Sequence, residues 1–172
     1  MTLVELLLAA VLGLVVIGGA FTMFAGAIHS QPRDSAKVAA LQEARTTADR
    51  ITRELRQGWE TRTTTSSKLE IATYVKAATC GGAAASTAIP CLVTYTCSGM
   101  TCSRVVAQPD GSAPGPSVQV VSGLTNAAVF TYTYASGAAD PTYVGVTFVL
   151  SGSGQPFTLS DGVALRNQSE EA

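Results

Sequence analysis

One run limits what this chain can fold into: MTLVELLLAAVLGLVVIGGAFTMFAGAI, in which Glu5 is the only ionisable side chain between Leu3 and Ile28. As a helix rising about 1.5 Å per residue it is on the order of 39 Å long, and about 20 apolar residues suffice to cross a bilayer. A secretory signal peptide would be shorter, with a basic start and a small-residue cleavage site. Here no Lys or Arg occurs before Arg33. The question is what justifies Glu5. A charge at the centre of a membrane span costs about 2.5–3.5 kcal/mol on insertion scales, and less near an end. One answer is capping: Thr2-x-x-Glu5 fits a capping box, and an acid in the first turn suits the helix dipole. The other is a partner cation. The nearest candidate is a free α-amine on Met1, if residue 1 is made by cleavage, and in an assembly that amine can belong to a neighbouring copy. The two answers are compatible.

Composition narrows the class. The chain has 172 residues, enough for one domain with an appendage; 47% are hydrophobic and only 13% charged. Lys+Arg number 11 against 12 Asp+Glu, so no basic excess points to nucleic acid. The four cysteines, Cys80, Cys91, Cys97 and Cys102, follow the apolar run in a stretch rich in Gly, Ser and Thr. An even count in a small exported domain implies two disulfides, and four cysteines allow three pairings. Cys80–Cys91 and Cys97–Cys102 are favoured because both close short loops; a loop of about 15 residues is worth roughly 3 kcal/mol in the chain-entropy model. A zinc site is the competing reading. Zinc ligand pairs usually sit two to four residues apart, whereas the spacings here are C-x10-C, C-x5-C and C-x4-C with no His nearby.

The chain divides into three parts. Residues 1–28 form an apolar stem. Residues 29–60 open with the polar HSQPRDSAK, whose Pro32 is expected to kink or interrupt a helix. They continue as an amphipathic helix in which Leu41, Ala44, Ala48, Ile51 and Leu55 recur at three- and four-residue steps. Glu43, Arg45, Asp49, Arg50, Arg53, Glu54 and Arg56 fill its other face, read as solvated, and Gly58 is a stop signal. Residues 61–172 read as a β-rich head. LEIATYV, CLVTYTC, TCSRVVA, SVQVVSG, NAAVFTYTY, TYVGVTFVL and QPFTLSDGVALRN are strand-like runs separated by Gly, Pro, Ser and Asp. CSGMTC is a hairpin turn clamped by Cys97 and Cys102, AQPDGSAPGPS a surface loop, and TRTTTSSK a polar linker. Such strands form antiparallel sheets with one buried face. Packing the helical stripe on that face gives an α+β fold.

No motif argues for an enzyme. His29 is the only histidine and sits at the stem's edge. There is no GxSxG, and SGSGQ is turn-like. Gly13, Gly18 and Gly19 lie within the apolar run and cannot cradle a phosphate. The Gly13-to-Gly18 spacing is one residue off the small-xxx-small helix-packing motif. Asp140 and Asp161 are read in separate turns, so no metal site and no cofactor is expected. NQS (167–169) fits the N-glycosylation pattern, which matches often by chance.

The run MTLVELLLAAVLGLVV resembles the mature N-terminus of type IV pilins and type II secretion pseudopilins. The shared pattern is a hydrophobic residue 1, Thr2, Leu3, a branched apolar residue at Val4, then Glu5 and an apolar helix; it covers Met1 to about Phe24. Downstream, LVTYTCSGMTCSRVV and GVALRN look more loosely like minor pilins and J-type pseudopilins. The resemblance implies that a short basic leader ending in Gly precedes Met1, that a prepilin peptidase of the inner membrane removes it, and that the new Met1 amine is methylated. Met1, Thr2, Leu3 and Glu5 would then serve processing and assembly, with Glu5 pairing to Met1 of an adjacent subunit. The stem would act first as membrane anchor, then as filament core. Family members often carry Pro where this chain has Thr22, so Gly18, Gly19 and Pro32 become the places for melting or a kink. The implied partners are copies of this chain or other pilins, and an inner-membrane assembly platform. The destination is a surface pilus, or the periplasm for a pseudopilin. A membrane-anchored extracytoplasmic domain that never polymerises is the reading from another class.

Overall fold

The computed structural model describes residues 2–75, 80, 87–138, 140–151 and 155–165, with the backbone alone at 27–34 and 63. It is an α+β fold. One helix, α1 (Leu3–Gln57), precedes eight strands: β1 (Glu60–Thr65), β2 (Lys68–Val75), β3 (Ile89–Ser98), β4 (Thr101–Ala107), β5 (Val118–Ser122), β6 (Phe130–Tyr134), β7 (Pro141–Leu150) and β8 (Phe157–Ala164). The chain forms two compact units, Met1–Val38 and Ala39–Ala172. The helix assignment runs unbroken through Gly18, Gly19 and Pro32. The interruption expected at Pro32 is therefore not there; α1 ends only at Gln57. There Gly58 lets the chain pass close to β2: a Cβ on it would lie 2.8 Å from Ile71 Cγ2 and 3.2 Å from the Ala72 carbonyl oxygen. The Trp59 N–H then bonds that same carbonyl at 3.0 Å.

Within the second unit, two antiparallel sheets form, ordered β1-β2-β3-β4-β5 and β6-β7-β8. Each strand run of the sequence becomes a strand, β2 to β8. Alternation decides their faces: Leu69, Ile71, Val93 and Tyr95 in the first sheet, and Phe130, Val144, Val146 and Phe148 in the second, are buried in one shared core. The C-terminal part of α1 supplies Ala44, Ala48, Ile51 and Leu55 to it, while Leu41 is half-buried.

TRTTTSSK is not a linker. Its threonines form β1, paired antiparallel with β2, and Thr61 is buried. The Ser66–Ser67 turn after β1 joins the sheets: the Ser66 carbonyl accepts from the N–H groups of Val129 (2.7 Å) and Phe130 (2.9 Å), and the Ser67 carbonyl from Cys97 (2.8 Å). Asn126 fastens the second sheet, donating to the Thr147 carbonyl (2.9 Å) and accepting from the Val149 N–H (2.9 Å). Disulfides join Cys80 to Cys91 and Cys97 to Cys102. The second spans directly opposed residues of β3 and β4, across a turn in which Gly99 takes a φ of +60°.

Candidate functional site

The stem is built to be covered by something outside its own chain. Leu3–Gly26 is helical with mean hydropathy 2.5, and none of it is buried. Leu3, Val16, Phe21 and Met23 are all more than two-thirds exposed. Burying one such side chain is worth about 1.5–3 kcal/mol, so water is the wrong surroundings for it. A membrane or a set of like helices removes that surface equally well. Val4, Leu7, Leu8, Val11 and Leu12 lie at three- and four-residue steps and line a shallow apolar groove on one face.

Glu5 stands at the first turn of this helix. The helix start is closed by backbone bonds, from the N–H groups of Glu5 (3.0 Å) and Leu6 (3.3 Å) to the Thr2 carbonyl. Among the described residues the Glu5 N–H goes to the Thr2 carbonyl rather than to the Thr2 hydroxyl, and the Glu5 carboxylate does not reach back to the Thr2 N–H, so the capping-box geometry is not formed. Glu5 is exposed, and no Lys or Arg precedes Arg33. A carboxylate is thus set on an apolar rod with no basic side chain within helical reach. Thr22 donates its hydroxyl to the Gly19 carbonyl at 2.8 Å, the hydrogen-bonding pattern that lets Thr sit inside a helix without an unsatisfied group.

The second half of α1 is fixed to the head by polar ties as well as by its apolar stripe. Glu54, read from sequence as solvated, is buried. Its carboxylate accepts from the Tyr95 hydroxyl and from Arg104 Nη2, each at 2.6 Å. Tyr95 and Arg104 are directly opposed on β3 and β4, so the sheet register presents both donors to one helical turn. Burial pushes the Tyr95 phenol far above the ordinary tyrosine range, and the Glu54 charge pushes it further. Burial works against the Arg104 charge, but Glu54 more than offsets this and leaves the guanidinium firmly protonated. Thr47 donates to the Val120 carbonyl (2.7 Å), Ser122 to Glu43 (3.0 Å) and Thr52 to Asp161 (3.2 Å). Asp161 lies in strand β8, not in a turn. Neither Tyr95 nor Arg104 carries any local sequence signal of this role.

Met1, the side chains of His29 and Pro32, and the NQS stretch (167–169) lie outside the described residues. Thr2, Leu3 and Glu5 are brought together at the helix start, and Gly18 and Gly19 lie further along the stem with open space around them. Among the described residues no group of three His, Cys, Asp or Glu is placed to hold a metal ion. No protein-family model matches the chain, and no curated protein matches it.

Proposed function

We propose that this chain is the structural subunit of a type IV pilus or pilus-like filament. It polymerises through its N-terminal helix, with Glu5 paired to the Met1 amine of a neighbouring copy. The observation that carries this reading is the lone exposed Glu5 at the head of a wholly exposed apolar helix that offers it no basic side chain. A neighbour's N-terminal amine neutralises it, and the neighbours' stems cover the apolar surface. Because an unpaired charge left among apolar helices is penalised, the pair also fixes the axial register of one subunit on the next. The stem anchors the chain in the inner membrane until an assembly platform draws it into the filament, after a prepilin peptidase has released and methylated Met1. The disulfide-bonded head faces the exterior. A minor pilin or J-type pseudopilin uses the same chemistry, and the LVTYTCSGMTCSRVV stretch, now a clamped hairpin, is what favours it.

Mass spectrometry of filaments sheared from the native cells tests the proposal. The expected result is that this chain dominates and begins at a singly methylated Met1. A processed but trace chain would make it a minor pilin or pseudopilin. An unprocessed terminus would remove the amine that Glu5 is proposed to meet.

A further inference from the structure

The exposed charges along the second half of α1 are mostly basic. Along α1, Arg45, Arg50 and Arg53 are exposed; the exposed acids on this side are Asp49 and, on β8, Asp161, which accepts from Thr52. Arg45, Asp49 and Arg53 fall at four-residue steps on one stripe, with Arg50 beside it. The remaining acids of this stretch are drawn inward: Glu54 to Arg104 and Tyr95, Glu43 to Ser122. The opposite sign gathers at the end of the head where α1 stops. Asp110 is exposed in the loop between β4 and β5. That loop lies against the start of β1, because Arg62 donates to the Pro109 carbonyl. Asp140, half-buried, immediately precedes Pro141, the β7 residue paired with Tyr134, whose hydroxyl reaches Thr64 of β1 at 2.9 Å. Glu60 begins β1 and is answered by Arg62 at 3.2 Å. Asp110 is held in place: both the hydroxyl (2.7 Å) and the N–H (2.8 Å) of Ser112 donate to its Oδ1. These bonds keep its carboxyl below the usual range.

We propose that the exposed arginines Arg45, Arg50 and Arg53 of one copy dock on the Asp110–Asp140 end of the next. The contact rests on the filament reading above and adds to it the surface through which heads meet. A basic side and an acidic end are different patches. They satisfy each other head-to-tail, and a head-to-tail contact that does not close propagates as a filament. Arginine suits the role, since its planar fork can engage a carboxylate through two bonds while its charge persists at any physiological pH. The choice of a second copy over an anionic polymer follows from this complementarity, because the chain carries both halves of the contact and a net charge of only −1.

The test uses the full chain in its native cells, with a photo-crosslinking residue at exposed Gln57 or Thr46 and an epitope-tagged copy alongside. The expected product is an adduct to the tagged copy, mapped to the Asp110 loop or the Asp140 turn. Arg50→Glu with Arg53→Glu should reduce it about tenfold, and Asp110→Arg with Asp140→Arg in the partner should restore it. Adducts to nucleic acid, lipid or another protein instead, or an adduct indifferent to the reversals, overturn the contact. Adducts without filaments would remove the filament reading and keep the contact, while filaments without adducts would do the reverse.

Discussion

At the residue scale the informative side chain is Glu54. In the sequence it is one of a row of charges on an amphipathic helix, and nothing local separates it from Arg53 or Arg56. Its burial is decided by Tyr95 and Arg104, far along the chain, and by the β3–β4 register that sets them side by side. Such a choice is invisible to helical periodicity. The apolar positions Ala44, Ala48, Ile51 and Leu55 were legible because burial there needs only their own spacing. Removing one partner of a buried ion pair strands the other, so Glu54→Ala is expected to cost about 3–5 kcal/mol in chemical unfolding of the detergent-solubilised chain. Replacing Glu54 and Arg104 together by Leu and Met should cost less than either single change. The phenol gives a pH signature. Tyr95 has a folded-state pKa above its unfolded value of about 10, so the folded chain holds the proton longer. Its contribution is complete below that pH and is lost as the pH rises past it. Stability should therefore fall in the alkaline limb, and Tyr95→Phe should flatten that fall. A residual slope is expected from Tyr132, whose hydroxyl is also pushed up, by burial first.

At the scale of elements, seven strands were legible because runs of Val, Thr, Tyr and Phe alternate between breakers. β1 was not. It is an edge strand with almost no apolar residue, so it lacks the alternation that marks a half-buried strand, and its β-branched threonines are the only hint. What makes it a strand is the partner surface of β2 and the turn at Ser66, which binds the second sheet. The hairpin CSGMTC was readable from its glycine and its paired cysteines. Its disulfide closes a very short loop, for which the chain-entropy model gives about 2 kcal/mol. Replacing Cys97 and Cys102 by Ser should lower unfolding stability by about that amount. The hairpin should survive in amide exchange, because six further residue pairs, from Leu92↔Ala107 to Ser98↔Thr101, hold the β3–β4 register.

At the scale of the whole molecule, the chain joins a head that satisfies itself to a stem that does not. The head closes its core, ties its helix by buried hydrogen bonds and clamps its loops with disulfides. Among its described residues the stem leaves every large apolar side chain exposed and carries one carboxylate with no basic side chain near it in the sequence. That contrast was readable at once, since an apolar run of such length with a single acid is unlike either a core helix or a signal peptide. The surface that heads present to one another was not, because the acidic end is assembled from β1, the β4–β5 loop and the β6–β7 turn. The pairing of Glu5 with a neighbour's amine is tested most directly by the yield of sheared filaments from cells carrying Glu5→Gln. This change keeps the size of the side chain and removes its charge. At least about a tenfold loss of filaments is expected, equivalent to about 1.4 kcal/mol, with the chain still in the membrane and both disulfides formed. Filaments at the normal level would contradict the pairing of Glu5 with a neighbour's amine, and a plain membrane anchor would then be the better description of the stem.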